Sequence, residues 1–226
     1  LIRKELWAQL SSAQEKPESG RLLLEALGKA PSVEAARSLF SLHKGLLSNE
    51  EQRISAYREL GTLEELVGNF DGALVAFERV LALDPHDDET RLRAAAAAME
   101  TGNYDRARRH AQYVVDSARN REAQRRAGLY LAMAHYYEGN RSEGVALFRS
   151  LTRGESRRTV ESQTLVFALL AARAWNEEEY AAELEEKLDR LYPQSLARLA
   201  VTGGSDVALS PRPSLLLPTS RWDSLD

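Results

Sequence analysis

Four histidines are the side chains best suited to metal binding or proton transfer in this chain of 226 residues. They stand at His43, His86, His110 and His135. Zinc-binding helices place two histidines four residues apart, often with a glutamate between them, and no two of these four have that spacing. Isolated histidines are usually solvated or hydrogen-bonded residues. We therefore predict no metal site.

Acidic side chains form the densest cluster of catalytic residue types, in the run 177–179 and at Glu183, Glu185 and Glu186. General acid–base chemistry requires two carboxylates in one pocket with pKa values driven apart, and nothing in the pattern indicates a pocket. Such runs are typical of solvated helix faces. The sequence also lacks the glycine-rich phosphate loops and the Gly-x-Ser-x-Gly elbow of hydrolases. The sequence therefore predicts no catalytic residue and no cofactor, and we expect that the protein is not an enzyme.

Composition narrows the class of protein further. Hydrophobic residues make up 43% of the chain, which is enough for a core. A net charge of −4 argues against general nucleic-acid binding, because that function needs a broad basic surface. The absence of cysteine excludes disulfides and cysteine-rich zinc sites. No apolar run approaches the roughly 20 residues that cross a bilayer, so we predict no transmembrane segment.

Charge is distributed unevenly along the chain. Residues 101–160 hold twelve basic and six acidic side chains, whereas residues 161–195 hold three basic and eight acidic ones. One interpretation is a solvated surface with internal ion pairs. The other is a basic patch that attracts an acidic protein partner. RNA binding agrees less well with this charge distribution, because it would require aromatic side chains that stack on bases, interleaved with the basic residues.

A short phrase recurs and indicates repeats. Gly-Asn-Phe-Asp-Gly-Ala at 68–73 returns as Gly-Asn-Tyr-Asp-Arg-Ala at 102–107, and a weaker copy begins at Gly139. A period of about 34 residues is typical of stacked helical hairpins. Glycine favours the positive φ that ends a helix. We expect Asp71 and Asp105 to cap the next helix, and Ala73 and Ala107 to allow close helix packing.

Residues 54–87 resemble the tetratricopeptide repeat family most closely. Leu60-Gly61, Phe70, Ala73, Phe77 and Pro85 follow the family's order and spacing, while Glu64 replaces its first-helix tyrosine. Further units fall at about 88–121, 125–158 and 162–195. The resemblance implies an all-α fold, a right-handed superhelix of stacked antiparallel helical hairpins. We expect three regions: a degenerate helical repeat or cap at 1–49, the repeats at 50–202, and an extended, non-helical tail at 203–226.

The family binds partners on the concave face, which the first helix of each hairpin lines. Carried over by the repeat alignment, that face predicts partner-binding residues at Arg58, Thr62, Glu65, Leu92, Met99, Leu129, Met133, Tyr136, Tyr137, Leu170 and Arg173. The middle of this set is unusually apolar. Apolar residues at helical spacing are equally expected in a packed core, so both interpretations stay open.

The predicted function is a non-enzymatic scaffold that binds a protein or peptide. The sequence Tyr-Pro-Gln-Ser at 192–195 resembles a step between hairpins of bacterial envelope tetratricopeptide lipoproteins, and the chain begins at Leu1 rather than at methionine. We therefore expect a periplasmic or outer-membrane-associated protein, with a removed signal segment and a possible lipid anchor. A cytoplasmic adaptor or regulator is the first alternative. An enzyme or small-ligand binder with its site in the concavity is the second.

Overall fold

The structure is a computed structural model that describes residues 17–193. Within this range the secondary structure is helical, with ten α-helices and one short 3₁₀ helix at Lys44–Leu46. The α-helices are α1 Pro17–Gly28, α2 Val33–His43, α3 Glu50–Leu66, α4 Phe70–Leu83, α5 Asp88–Glu100, α6 Tyr104–Ser117, α7 Arg121–Tyr137, α8 Arg141–Leu151, α9 Ser162–Ala174 and α10 Glu178–Leu191. Three predicted parts lie outside the described residues: residues 1–16 of the N-terminal region, residues 194–202 of the repeat region, and the tail at 203–226.

The chain divides into two compact units, residues 1–101 and 102–226. In the first unit, α3 and α4 form a tight antiparallel hairpin, α5 packs on α4, and α1 and α2 pack against α3. In the second unit, α6 packs on α7, α7 on α8, and α9 on α10. The four repeats expected at 54–87, 88–121, 125–158 and 162–195 each span parts of two successive helices.

Three glycines end helices in the left-handed conformation that the sequence predicts for two of them. Gly68, Gly102 and Gly139 have φ values of 76°, 71° and 77°. At Gly68 the amide of Asn69 also donates back to the carbonyl of Glu64 at 2.9 Å. This six-residue closure is the Schellman motif, which satisfies carbonyls that the helix end leaves free.

A fourth turn of the same kind uses asparagine. Asn176 has a φ of 56°, and the Glu177 amide donates to the carbonyl of Ala172 at 2.9 Å. Asparagine tolerates the left-handed region better than other non-glycine residues. Asn176 stands 37 residues after Gly139, as Gly139 stands 37 after Gly102. The turn therefore continues the repeat period without its glycine.

The helix caps correct one sequence-based expectation. Asn69 and Asn103, rather than Asp71 and Asp105, cap α4 and α6, and their side chains accept from the amides of Gly72 and Arg106. The two aspartates lie in the first helical turn, where a negative charge meets the positive end of the helix dipole. The cap falls on asparagine because the side-chain oxygen of the last non-helical residue reaches the free amides.

The core of each hairpin depends on small residues at crossing points. Ala73 and Ala107 are fully buried, as predicted. Gly61 in α3 faces the ring of Phe77 in α4, and a Cβ added there would overlap that ring. In the second unit Gly144 takes the same role beneath Trp175. Close helix approach therefore fixes where α3 and α8 carry glycine.

Candidate functional site

The apolar half of the predicted partner-binding set lies in the core. Five side chains are between 1% and 8% exposed: Leu92, Met99, Leu129, Met133 and Leu170. The physical reason is that their helices are covered on nearly every side. Residues 127–134 of α7 and 162–172 of α9 are buried without interruption. These five residues are corrected from groove residues to packing residues, since a partner could not reach them without repacking the helices.

The polar members on α3 remain at the surface of the first unit, but they are held by α5 and the turn before it. Arg58 pairs with Asp87 at 2.8 Å, and Glu65 pairs with Arg93 at 2.5 Å. Thr62 donates to the carbonyl of Arg58 at 2.8 Å. The two ion pairs fasten α3 to α5 and to the turn before it, whereas the Thr62 hydrogen bond lies within α3. Each of the three side chains is partly exposed, so their predicted role in partner binding stays a prediction.

The two predicted tyrosines belong to an aromatic row in the second unit. Tyr137 stacks on Tyr104 with ring centroids 4.7 Å apart, and Tyr136 meets Tyr137 edge-on at 5.2 Å. Trp175 continues the row, 4.9 Å from Tyr136. The sequence-based set of partner-binding residues omits Tyr104 and Trp175. Both could have been found from the sequence, because the aromatic residues of this row all lie beside hairpin turns, at 104, 136–137 and 175.

Arg173 lies at the end of α9, near that row in the sequence. Its guanidinium is exposed and pairs with Glu185 of α10 at 2.5 Å. A surface ion pair of this kind contributes only about 0.2–1 kcal/mol. Arg173 is therefore accessible to a partner at little energetic cost.

The first unit contains an open cleft that the sequence did not predict. The helices α2 and α4 form its walls and α3 forms its floor, and we call it the α2–α4 cleft. Its volume is about 450 Å³. The lining residues are Arg37, Phe40, Tyr57, Leu60, Glu64, Asp71, Gly72, Val75, Ala76 and Arg79. Phe40 packs on Tyr57 with ring centroids 5.1 Å apart, so much of the lining is apolar.

A buried carboxylate lies at one side of this cleft. Glu64 is only 5% exposed. Both carboxylate oxygens of Glu64 accept hydrogen bonds from the Arg37 guanidinium, each at 2.5 Å. One of them also accepts from the side-chain amide nitrogen of Asn69 at 2.7 Å. The hydrogen bonds from Arg37 hold the pKa of the Glu64 carboxyl below its ordinary value, against the opposing effect of burial. Glu64 therefore stays ionised and ties α2 to α3.

Gly72 makes room for this arrangement. A Cβ at Gly72 would lie 2.5 Å from the amide nitrogen of Asn69 and 3.0 Å from the carboxyl carbon of Glu64. At position 64, where the tetratricopeptide pattern has tyrosine, this chain has a carboxylate, and its partners Arg37 and Asn69 come from two other segments of the chain. The sequence shows that glutamate replaces tyrosine at this position, but it does not show that Glu64 pairs with Arg37, which is 27 residues away.

Within 17–193, no three histidine, aspartate or glutamate side chains come together in a way that could hold a metal ion. None of the helices between Pro17 and Leu191 has both the length and the apolar character needed to span a bilayer.

The fold and the repeat period define a class of protein. Residues 67–129 match the model of the tetratricopeptide repeat family. Residues 67–129 thus carry tetratricopeptide repeats, and the predicted fold class, an all-α solenoid of helical hairpins, is confirmed.

Two solved structures are similar to this chain. One is the crystal structure of PilW, described as a widely conserved type IV pilus biogenesis factor. It shares 15% sequence identity with a TM-score of 0.57, over 87% of each chain. The other is PilF of Pseudomonas aeruginosa, with 16% identity and a TM-score of 0.49, over 90% of this chain and 96% of PilF. No curated protein sequence matches the chain. At these identities the similarity to PilW shows the fold alone.

Proposed function

We propose that this protein is a non-enzymatic scaffold that binds a partner polypeptide during assembly of a bacterial envelope structure, in the manner of a pilus biogenesis factor. The observation that carries the proposal is the tetratricopeptide architecture at 67–129 together with the fold shared with PilW. Stacked helical hairpins expose long, side-chain-lined surfaces that commonly bind other proteins.

The proposed contact residues are the accessible members of the predicted set. They are Arg58, Thr62 and Glu65 in the first unit, and Tyr136, Tyr137 and Arg173 in the second. Tyrosine is favoured at protein interfaces because it combines a large contact area with a hydroxyl group, and arginine is enriched there for its charge and planar shape. The buried residues support these helices from within.

The test is affinity capture from the envelope fraction of the source cells with the intact chain as bait. We expect a defined polypeptide partner, retained less by a Tyr136→Ala/Arg173→Ala variant than by the original chain. Arg53→Ala is a matched control, because Arg53 is exposed on α3 and belongs to neither proposed surface. Failure of the intact chain to retain any polypeptide would contradict the scaffold function.

Localisation is tested separately by fractionating cells that produce the native gene product. Recovery with the periplasm or outer membrane agrees with the proposal. Recovery in the cytoplasm would instead favour an adaptor or regulator of the same architecture, which leaves the polypeptide-binding function intact.

A further inference from the structure

Exposed apolar side chains are concentrated in the first unit. Within residues 17–193, the large hydrophobic side chains that are strongly exposed are Leu42, Leu66, Val67 and Val75, at 74%, 77%, 59% and 56%. They lie on α2, at the α3–α4 turn and on α4, which are the elements that build the α2–α4 cleft. Isolated exposed hydrophobics need no explanation. Val75 is the one of these four that lines the cleft, and an exposed apolar side chain continuous with an apolar cleft is typical of an interaction surface.

Two charged side chains extend this apolar surface along α4. Asp71, Val75 and Arg79 are spaced four residues apart, so they form one stripe along the helix, and all three are exposed lining residues of the cleft. The stripe is about 12 Å long, at roughly 1.5 Å per helical residue. The described part of the chain offers neither Asp71 nor Arg79 an ion-pair partner, whereas Arg37 on the opposite wall is already paired with Glu64.

We propose that the α2–α4 cleft binds an amphipathic helix of a partner protein. Its apolar face fills the cleft over Val75, Phe40 and Tyr57, and a cation and a carboxylate about two helical turns apart pair with Asp71 and Arg79. This assignment rests on the proposed polypeptide-binding function. It adds a binding surface that does not include Arg58, Thr62 or Glu65, and it specifies the order of charges on the partner.

A helix is the occupant that fits both the shape and the charges. The walls are two helices over a helical floor, so a further helix continues the same packing, with apolar residues at spacings of three and four. The free charges lie eight residues apart on one face, which matches the spacing of a helix laid along α4.

The probe is a fluorescein-labelled 18-residue helical peptide with three leucines on one face, flanked by a lysine and a glutamate eight positions apart. Two control peptides carry lysine at both positions or glutamate at both. We expect the original chain to bind the lysine/glutamate peptide about three-fold more tightly than either control, measured by fluorescence anisotropy, since exposed ion pairs contribute modestly. The lysine/glutamate peptide is made in both sequence orders, so that one of the two places its lysine beside Asp71 and its glutamate beside Arg79 whichever way the helix runs along α4.

Charge reversal changes the preference in a defined way. Arg79→Glu should bind the lysine/lysine peptide best, and Asp71→Lys the glutamate/glutamate peptide. Arg53→Glu is the matched control: it makes the same charge change on an exposed α3 residue that does not line the cleft, and it should keep the original preference. If every variant ranks the three peptides alike, the charge assignment is wrong.

The apolar contact is tested by Val75→Asp, which should weaken binding at least about ten-fold. Leu42→Asp is its control, because Leu42 is even more exposed but does not line the cleft, and binding should be unchanged. Both sites are exposed, and circular dichroism verifies that each variant is folded. Equal loss in both variants would overturn the cleft as the site.

Other occupants of the cleft would give different results. If sedimentation shows a dimer of the original chain that Val75→Asp dissociates, the occupant is a second copy, and the proposal fails. A photocrosslinker at position 75 that reacts with residues of the same chain other than those lining the cleft would identify an internal occupant and also overturn it. If the peptides fail but affinity capture still retains a partner, only the cleft assignment falls. Absence of any captured partner contradicts the scaffold function itself.

Discussion

Gly68→Ala should destabilise the protein through backbone conformation alone. Gly68 has a φ of 76°, and a Cβ added there would meet no atom within 4 Å. The left-handed conformation costs an L-residue about 1–2 kcal/mol. Alanine also restricts the unfolded chain, which returns about 0.4–1 kcal/mol. The net expectation is a loss of about 1 kcal/mol in the free energy of unfolding.

Gly45→Ala is the matched control for this measurement. Gly45 lies in the 3₁₀ helix Lys44–Leu46, its φ is not positive, and its added Cβ would likewise meet nothing within 4 Å. This variant keeps only the unfolded-state effect, so we expect it to stabilise the protein by about 0.4–1 kcal/mol. The two alanine variants should therefore differ by about 1–2 kcal/mol.

The assay is urea unfolding followed by far-ultraviolet circular dichroism, with the slope of free energy against urea compared between variants. Asn176→Ala provides the same test in the second unit, where we expect a loss of up to about 1 kcal/mol because alanine tolerates the left-handed region less well than asparagine. Free energies for Gly68→Ala and Gly45→Ala that agree within about 0.3 kcal/mol would refute the conformational argument.

Three further outcomes test the core and the buried polar groups. Arg37→Ala should cost about 2 kcal/mol near neutral pH, because it leaves the Glu64 carboxylate buried with one fewer partner. The pKa of Glu64 is lowered in the folded state, so its contribution is present above the unfolded value of about 4.3 and is lost as pH falls through the folded value. The difference in free energy of unfolding between the original chain and Arg37→Ala, measured by urea unfolding, should then become smaller in acid. A difference that does not change with pH would contradict this. Met133→Ala should lower the free energy of unfolding by about 2–5 kcal/mol as a core truncation. Tyr136→Ala, at a partly exposed residue, should cost clearly less; equal losses would speak against the burial assignment. Burial raises the pKa of Tyr180 to about 12, so this hydroxyl should titrate above its ordinary range in an ultraviolet absorbance titration compared with Tyr180→Phe, and stability should fall as pH rises above about 10, where the unfolded chain ionises first.

The repeat period and its turns could be predicted from the sequence because they depend on local chemistry. Gly68 and Gly102 are needed where a helix ends with positive φ, and Ala73 is needed where two helices cross closely. These requirements restrict residue type at a single position, so they leave a visible pattern. The turn at Asn176 follows the same rule with asparagine in place of glycine. The repeat period could have revealed this turn, because Asn176 lies 37 residues after Gly139.

Burial of the first-helix side chains was decided only by the tertiary structure. The sequence marks Leu92, Met133 and Leu170 as apolar residues at helical spacing, and that pattern is the same for a core face and for a binding groove. Which of the two applies depends on how many neighbours cover the helix. The cover over α7 and α9 is nearly complete, and no local signal in either segment specifies it.

The α2–α4 cleft likewise arises from the arrangement of helices rather than from any motif. Phe40, Tyr57 and Val75 are unremarkable in sequence, and they come together because α2 and α4 lie on opposite sides of α3. The pairing of Arg37 with Glu64 across 27 residues has the same origin. Short-range requirements of backbone and side chain therefore determined the hairpins, whereas contacts between distant segments decided which surfaces stay open.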